Sequence, residues 1–331
     1  MDPLTTTRIG RTDVEVTRLG LGTSPLGGWP EAVAPKTGIA TIEAAWSSGL
    51  RYFDTAPFYG YGQSELWLGE VLRARERSSY VVSTKVGRVL EPRRRADPPP
   101  MFQGARPFEA VFDFSHAGTR RSLTESLERL GIGRIDIALV HDPDDHLDDA
   151  LDGAFAALAE LRGEGVVGAV GAGMNWSAPL THLVERADLD CVMLAGRYTL
   201  LDQTSLDDLL PAASAGGVSV IAGGVFNSGI LAEPRPGATY DYAPASTEVL
   251  ARATELQRLS EGFGVPLTAV ALQFTLAHPV IAAVVTGARS PAEMQQNVDA
   301  LRIPVPQELW ETLVQRGLLR PDAPLPATAG C

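Results

Sequence analysis

Short apolar runs along this chain alternate with longer stretches in which apolar positions recur every three or four residues. The first pattern predicts strands covered on both faces, the second amphipathic helices. TRLGLGT (17–23) reads as a strand. GIATIEAAWSSG (38–49) reads as a helix with Ile39, Ile42, Ala45 and Trp46 on one face, stopped by Gly49. LRYFD is a strand, SELWLGEVLRAR a helix, SYVVSTKVG (79–87) a strand, and HAGTRRSLTESLERLG a helix with Leu123, Leu127 and Leu130 in register. RIDIALVHD (134–142), GVVGAVGAG (165–173), DCVMLAG, VSVIAGG and VIAAVVTG continue the strands, each with a helical pattern behind it.

Eight strand–helix units in one chain predict a closed (β/α)8 TIM barrel, a single domain over residues 1–331, rather than an open doubly wound sheet. No G-x-G-x-x-G follows any strand, which counts against a Rossmann domain. TTTRIGRTDVEVT, before the first barrel strand, reads as an N-terminal β-hairpin turned at Thr12 and Asp13 and placed to plug the barrel's bottom. Residues 88–115 break the rhythm with arginines, a proline triplet and aromatics, and read as a long mouth loop after the third strand. ELWETLVQRG packs across the outside, and residues 320–331 read as a flexible tail.

Composition narrows the function. At 45% hydrophobic, the 331 residues supply a large core. The net charge of −12 repels phosphate backbones and anionic lipid, so neither nucleic acid nor a membrane surface is expected as a partner. Cys191 sits in an apolar run and Cys331 ends the chain, which argues against a disulfide framework. No Cys/His spacing resembles a metal site, and no signal-like or spanning apolar segment occurs, so a soluble cytoplasmic protein without a metal is expected.

Chemistry in such a barrel sits at the C-terminal ends of the strands. There the pattern places Asp54, Tyr59 on the loop behind it, Lys85 and His141. A phenol ionises near pH 10, too high for neutral-pH work, and a nearby ammonium lowers that value. Lys85 is suited to that task, Asp54 to holding the lysine charged, and His141 to hydrogen bonding beside the reacting oxygen. Singly, each residue reads as a cap, a core filler or a surface charge. Four together on one rim do not.

YFDTAPFYG, STKVG and LVHD resemble the signatures of the aldo-keto reductase superfamily, in order, over nearly the whole chain. The resemblance implies that Asp54, Tyr59, Lys85 and His141 are the catalytic tetrad of a nicotinamide-dependent oxidoreductase. GLGTSPLGG, STKVGRVLEP, LAGRYTLLDQ and NSGIL resemble one branch more closely, that of the L-fucose (D-threo-aldose) dehydrogenases and pyridoxal 4-dehydrogenases. That branch implies transfer of hydride from a sugar hydroxyl to NAD, giving an aldonolactone from an aldose. Pyridoxal oxidation and NADPH-dependent carbonyl reduction are the alternatives, and a nucleotide-binding regulatory subunit is the reading from another class. The implied partner is a small neutral polyhydroxy or aldehyde substrate.

The resemblance also implies cofactor contacts. Asn175 matches the carboxamide-holding asparagine, and Phe226, Ser228 and Gly229 match the loop over the pyrophosphate. Met174, Ala195 and Gly223 depart from the family's serine, glutamine and stacking aromatic, leaving Phe226 as the substitute ring. Gly287, Arg289, Glu293 and Asn297 fall in the adenosine-phosphate segment. NADP-preferring members place basic residues at positions matching Gly287 and Glu293. A glutamate repels a 2′-phosphate and accepts from a 2′-hydroxyl, so NAD is expected, with Arg289 keeping NADP open. Tyr61 and Trp176 read as pocket or packing residues and Asn227 as a lesser pocket candidate. Arg93 to Arg95 read as a solvated loop with an anion site as the alternative, and His146 as a solvated helix start. His116, His182 and His278 read as packing or surface residues.

Overall fold

The computed structural model describes residues 1–94 and 101–327. Its strands are β1 (Thr6–Arg8), β2 (Glu15–Thr17), β3 (Leu19–Gly22), β4 (Tyr52–Asp54), β5 (Val81–Val86), β6 (Arg88–Pro92), β7 (Phe108–Phe112) and β8 (Ile135–His141). β9 (Val167–Met174), β10 (Cys191–Ala195), β11 (Ser219–Gly223), β12 (Thr239–Tyr240), β13 (Ala243–Pro244) and β14 (Ile281–Gly287) follow. The order β3-β4-β5-β8-β9-β10-β11-β14 closes into a parallel barrel. Each barrel strand is followed by helix: α1 (Pro35–Ser47), α2 (Gln63–Leu72), α3 (His116–Leu130), α4 (Leu147–Asp149) leading to α5 (Phe155–Gly163), α6 (Ser177–Arg186), α7 (Leu209–Gly216), α8 (Thr247–Gly262) with α9 (Leu267–Ala277), and α10 (Pro291–Arg302). The expected (β/α)8 architecture is therefore present.

The pleat sorts each strand into two faces. In β5, Val82 and Val86 join the core between strands and helices, while Val81 joins the separate core inside the barrel. Tyr52, Ile137, Leu139, Ala169, Met193, Ile221 and Val285 fill that interior. Tyr52 fits because β3 offers glycine beside it: a Cβ on Gly20 would lie 2.6 Å from Tyr52 Cδ1.

The β1/β2 hairpin closes the bottom. Ile9 and Val16 are fully buried in the interior core, and the Gly10 amide donates to Ser219 Oγ at 2.8 Å. The final helix, α11 (Gln307–Gln315), buries Leu309, Trp310 and Leu313 against the outside. Among the described residues, no helix is long and apolar enough to cross a membrane.

Two expectations need correcting. The 88–115 segment, expected as a long mouth loop, carries strands toward its two ends, because β6 and β7 pair antiparallel from Arg88 opposite Phe112 to Pro92 opposite Phe108. Residues 320–325 of the presumed tail are docked. Arg320 N donates to Gln203 Oε1 at 2.8 Å, its guanidinium pairs with Asp207 at 2.7 Å, and Ala323 is buried. Arg95 and Cys331 lie outside the described residues.

Truncating Ile9 to alanine removes a fully buried plug side chain. The expected cost is about 2–4 kcal/mol in urea unfolding. A cost under about 0.5 kcal/mol would show that the hairpin is not part of the core.

Candidate active site

The mouth chemistry follows from the pleat. Asp54 is in phase with Tyr52, Lys85 with Ser83, and His141 with Leu139, so the three candidate side chains continue the inward rows of β4, β5 and β8. Across the barrel, β9, β10 and β11 present Gly173, Ala195 and Gly223 at their ends. A Cβ on Gly173 would lie 3.7 Å from Lys85 Cε, and one on Gly223 would lie 3.8 Å from Ala195 Cβ. One side of the mouth is therefore polar and the other is floored by small residues.

Lys85 and Asp54 form a buried ion pair, with side chains 2% and 3% exposed. Lys85 Nζ donates to Asp54 Oδ1 and Oδ2 at 3.0 and 2.8 Å and to Thr55 O at 3.0 Å. Ser83 Oγ donates to Asp54 Oδ1 at 2.8 Å, and the Tyr52 hydroxyl lies 3.1 Å from Ser83 Oγ. Every strong acceptor of the carboxylate is engaged, as burial requires. The ammonium lies 4.7 Å from the centroid of the Tyr59 ring. Burial pulls the Lys85 pKa down, but Asp54 and Tyr59 more than offset this and hold it above the ordinary lysine value.

Tyr59 departs from expectation. Burial raises its pKa, Lys85 opposes that, Asp54 and Tyr242 add to it, and the outcome is about 12. The lysine does lower the phenol's pKa, but it does not win. His141 stands edge-on to Tyr59 at 5.9 Å and is held well below the usual histidine range by burial, then by Arg88 and Lys85. Its imidazole is neutral at neutral pH.

The remaining candidates divide. Trp176 is 54% exposed at the mouth, with the Arg197 guanidinium 4.2 Å above its ring. Tyr61 is buried instead in an aromatic cluster with Phe58 and Phe102, and its hydroxyl accepts from Met101 N at 3.3 Å, so it packs the insertion. Asn227 is buried and ties its loop to Gly196 O through Nδ2 at 3.1 Å. Asn175 follows directly on β9 and is partly exposed. Phe226 packs against the helical core rather than standing free. Ser228 Oγ accepts from Tyr242 N at 3.3 Å, and the Gly229 amide is spent on Phe226 O at 3.0 Å. Glu293 has a local role: Ser290 Oγ accepts from Glu293 N at 3.2 Å, while Glu293 Oε2 accepts from Arg289 N at 2.8 Å. This is a variant of the capping box that S-P-A-E announces. Arg289 reaches Glu31 at 3.4 Å, and Asn297 Nδ2 donates to Gly287 O at 3.3 Å. His146 packs beside Phe112 and Phe114, at 5.6 and 5.5 Å, rather than being simply solvated.

Sequence reading passed over Arg88, Asp142 and Tyr242. Arg88 opens β6 and pairs with Asp142 at 2.7 Å. Tyr242 sits on the β12/β13 turn, where Asp241 and Tyr242 have φ of 50° and 63°, and packs edge-on against Trp29 at 5.1 Å. An Asn-Gly at that turn would have announced the hairpin, and Asp-Tyr does not.

Residues 18–316 match the profile of the aldo/keto reductase family. The chain is 43% identical to pyridoxal 4-dehydrogenase of Microbacterium luteolum, over 94% of this chain and 97% of the relative. It is 40% identical to D-threo-aldose 1-dehydrogenase of a Pseudomonas species, over 91% and 94%. The holo form of aldo-keto reductase AKR11C1 from Bacillus halodurans superposes with a TM-score of 0.77 at 26% identity, covering 98% of this chain and 99% of that one. The chain belongs to the aldo/keto reductase family. It is an NAD(P)-dependent oxidoreductase.

Replacing Lys85 by methionine leaves a buried carboxylate without its cation. The expected loss is about 3–5 kcal/mol in urea unfolding, and an added Asp54→Asn should recover at least half of it. A single-variant loss below about 1 kcal/mol would contradict the buried pair.

Proposed function

We propose that this oxidoreductase is an aldose 1-dehydrogenase that uses NAD to oxidise the anomeric hydroxyl of L-fucose or a related D-threo-type sugar to the lactone. The observation that carries the reading is the Asp54–Lys85 pair beneath Tyr59 and beside neutral His141, facing a floor of small residues. The 40% identical aldose dehydrogenase supports the sugar as substrate.

The small residues Gly173, Ala195 and Gly223 at the ends of β9, β10 and β11, with the amide of Asn175 directly after β9, support this reading as a lining that fits a nicotinamide. When bound, it supplies the acceptor for the hydride leaving the sugar carbon. Tyr59 takes the hydroxyl proton as the C–O bond gains double-bond character. Lys85 favours the phenolate that this requires, and Asp54 keeps the lysine charged and aimed. His141 contributes a neutral hydrogen-bonding edge that orients the hydroxyl without adding charge. Because Tyr59 holds its proton up to about 12, the resting site is set as an acid, and oxidation gains as pH rises toward that value.

NAD preference rests on Glu293. Its half-buried carboxylate already sits at the start of α10, where the helix dipole would otherwise attract a phosphate. Pyridoxal oxidation is the second reading, favoured by the 43% identical relative.

With purified protein and NAD, L-fucose, D-arabinose or L-galactose should produce NADH, and Tyr59→Phe should lower turnover about a hundredfold or more while dinucleotide binding persists. NADH formation from pyridoxal alone would establish the second reading, and a Tyr59→Phe variant within a few-fold of wild type would remove Tyr59 from the chemistry. Glu293→Gln keeps the cap's acceptor and removes the charge. It should shift the NADP/NAD ratio of kcat/KM upward by about tenfold, and an unchanged ratio would place Glu293 away from the 2′ position.

A further inference from the structure

Just beyond His141 the chain leaves strand geometry. Asp142 has a φ of 47°, a left-handed conformation that costs a non-glycine residue on the order of 1 kcal/mol. Its amide donates to Gly173 O at 3.0 Å. The kink leaves Asp142 Oδ2 accepting from Arg88 Nη2 at 2.7 Å and 3.5 Å from His141 Nε2. The side chains of Arg88 and Asp142 are 13% and 27% exposed.

Arg88 is itself held from several directions. Its guanidinium lies between the Phe58 and Phe112 rings, 4.3 and 4.4 Å from their centroids. Its carbonyl accepts from Ser122 Oγ of α3 at 3.0 Å. Phe58 immediately precedes Tyr59 and stands edge-on to His141 at 6.0 Å. One ion pair thus touches the insertion hairpin, the Tyr59 loop and His141.

We propose that Arg88 and Asp142 are a positioning pair for His141: the carboxylate, anchored by Arg88, fixes the imidazole, and the guanidinium cancels the carboxylate's pull on a proton. A lone carboxylate at this distance would favour imidazolium. A charged ring would orient the substrate hydroxyl differently and repel Lys85. Lys85 faces His141 from β5, Arg88 from β6, Asp142 from its own segment and the Tyr59 phenol from the loop after β4. Asp144 acts in turn on Asp142, and Asp142 on Tyr242. Burial holds the imidazole's pKa down first, and Arg88 and then Lys85 add to it.

The inference rests on the reading that His141 faces the reacting oxygen, so its test includes a readout independent of turnover. The imidazole of His141 is followed by NMR against pH in full-length protein. Arg88→Met should move its titration to higher pH than in wild type. Asp142→Asn should not, since asparagine tolerates the left-handed backbone, and the double variant should return to wild-type behaviour. Arg88→Lys, which keeps the charge, should rescue the titration. With NAD and L-fucose or pyridoxal, whichever reacts, Arg88→Met should lose about ten- to a hundredfold in kcat, with the deficit growing toward acid pH. Arg88→Gln replaces the methionine variant if that one does not fold. A His141 titration in the charge-removed variant that coincides with wild type overturns the proposal, whatever the activity. A shifted titration in a protein whose Tyr59→Phe variant remains active keeps the pair and removes the tyrosine assignment instead.

Discussion

The buried pair between Lys85 and Asp54 is the constraint on which the mouth is built. Removing two charges from water is expensive, and their attraction repays it only where geometry is good and the remaining polar atoms are satisfied. Both conditions are met: the ammonium contacts both carboxylate oxygens and Thr55 O, and Ser83 donates to the same carboxylate. The dependence then runs downward. Ser83 lies beside the Tyr52 hydroxyl, and Tyr52 fills the barrel because Gly20 leaves room for it. Packing in the barrel interior thus sets where the lysine stands, and the lysine sets the field on Tyr59.

That field works against burial. The dry surroundings that strengthen the pull of Lys85 also penalise the phenolate, and the second effect is larger here. The site therefore keeps the proton on Tyr59 at neutral pH, so the group that the acid step of carbonyl reduction would use is in its protonated form. Oxidation uses the same path in reverse and needs the phenolate. In the proposed mechanism, direction is then set by pH and cofactor supply more than by any asymmetry among the four residues.

The barrel was legible because each strand is a short apolar run and each helix carries a 3.6-residue stripe. The rim was legible because Asp54, Lys85 and His141 end inward rows that begin with apolar residues, so period two alone places them together. What was not legible depends on backbone states that composition hides. Asp142 follows His141, and the pleat would send it to the opposite face. Only the left-handed φ leaves its carboxylate 3.5 Å from the imidazole. The β12/β13 hairpin turns on Asp241 and Tyr242 without a glycine. Tyr61 and Trp176 read alike in sequence, as pocket or packing residues, but the aromatics of the insertion bury Tyr61 while Trp176 is exposed. Glu293 was read for its charge, while its capping role was written in Ser290 three residues earlier.

The insertion joins the two halves of the problem. Loops at a barrel mouth normally vary freely and carry specificity, while the strand ends carry the chemistry. Here the β6/β7 hairpin begins at Arg88, directly after Gly87, and Gly87 has a φ of 92° with Phe114 packed where a Cβ would stand. The base of the insertion is thus pinned by a glycine, two aromatic rings and an ion pair, and that ion pair lies against the catalytic candidate His141. A change that moves this base reaches His141 through Asp142. Beyond the base, Tyr61 and Phe102 anchor the returning segment in their own small cluster, apart from the barrel interior. That cluster packs against Phe58 and Tyr59, so the insertion meets the candidate site at two places, at Tyr59 through its aromatics and at His141 through Arg88 and Asp142.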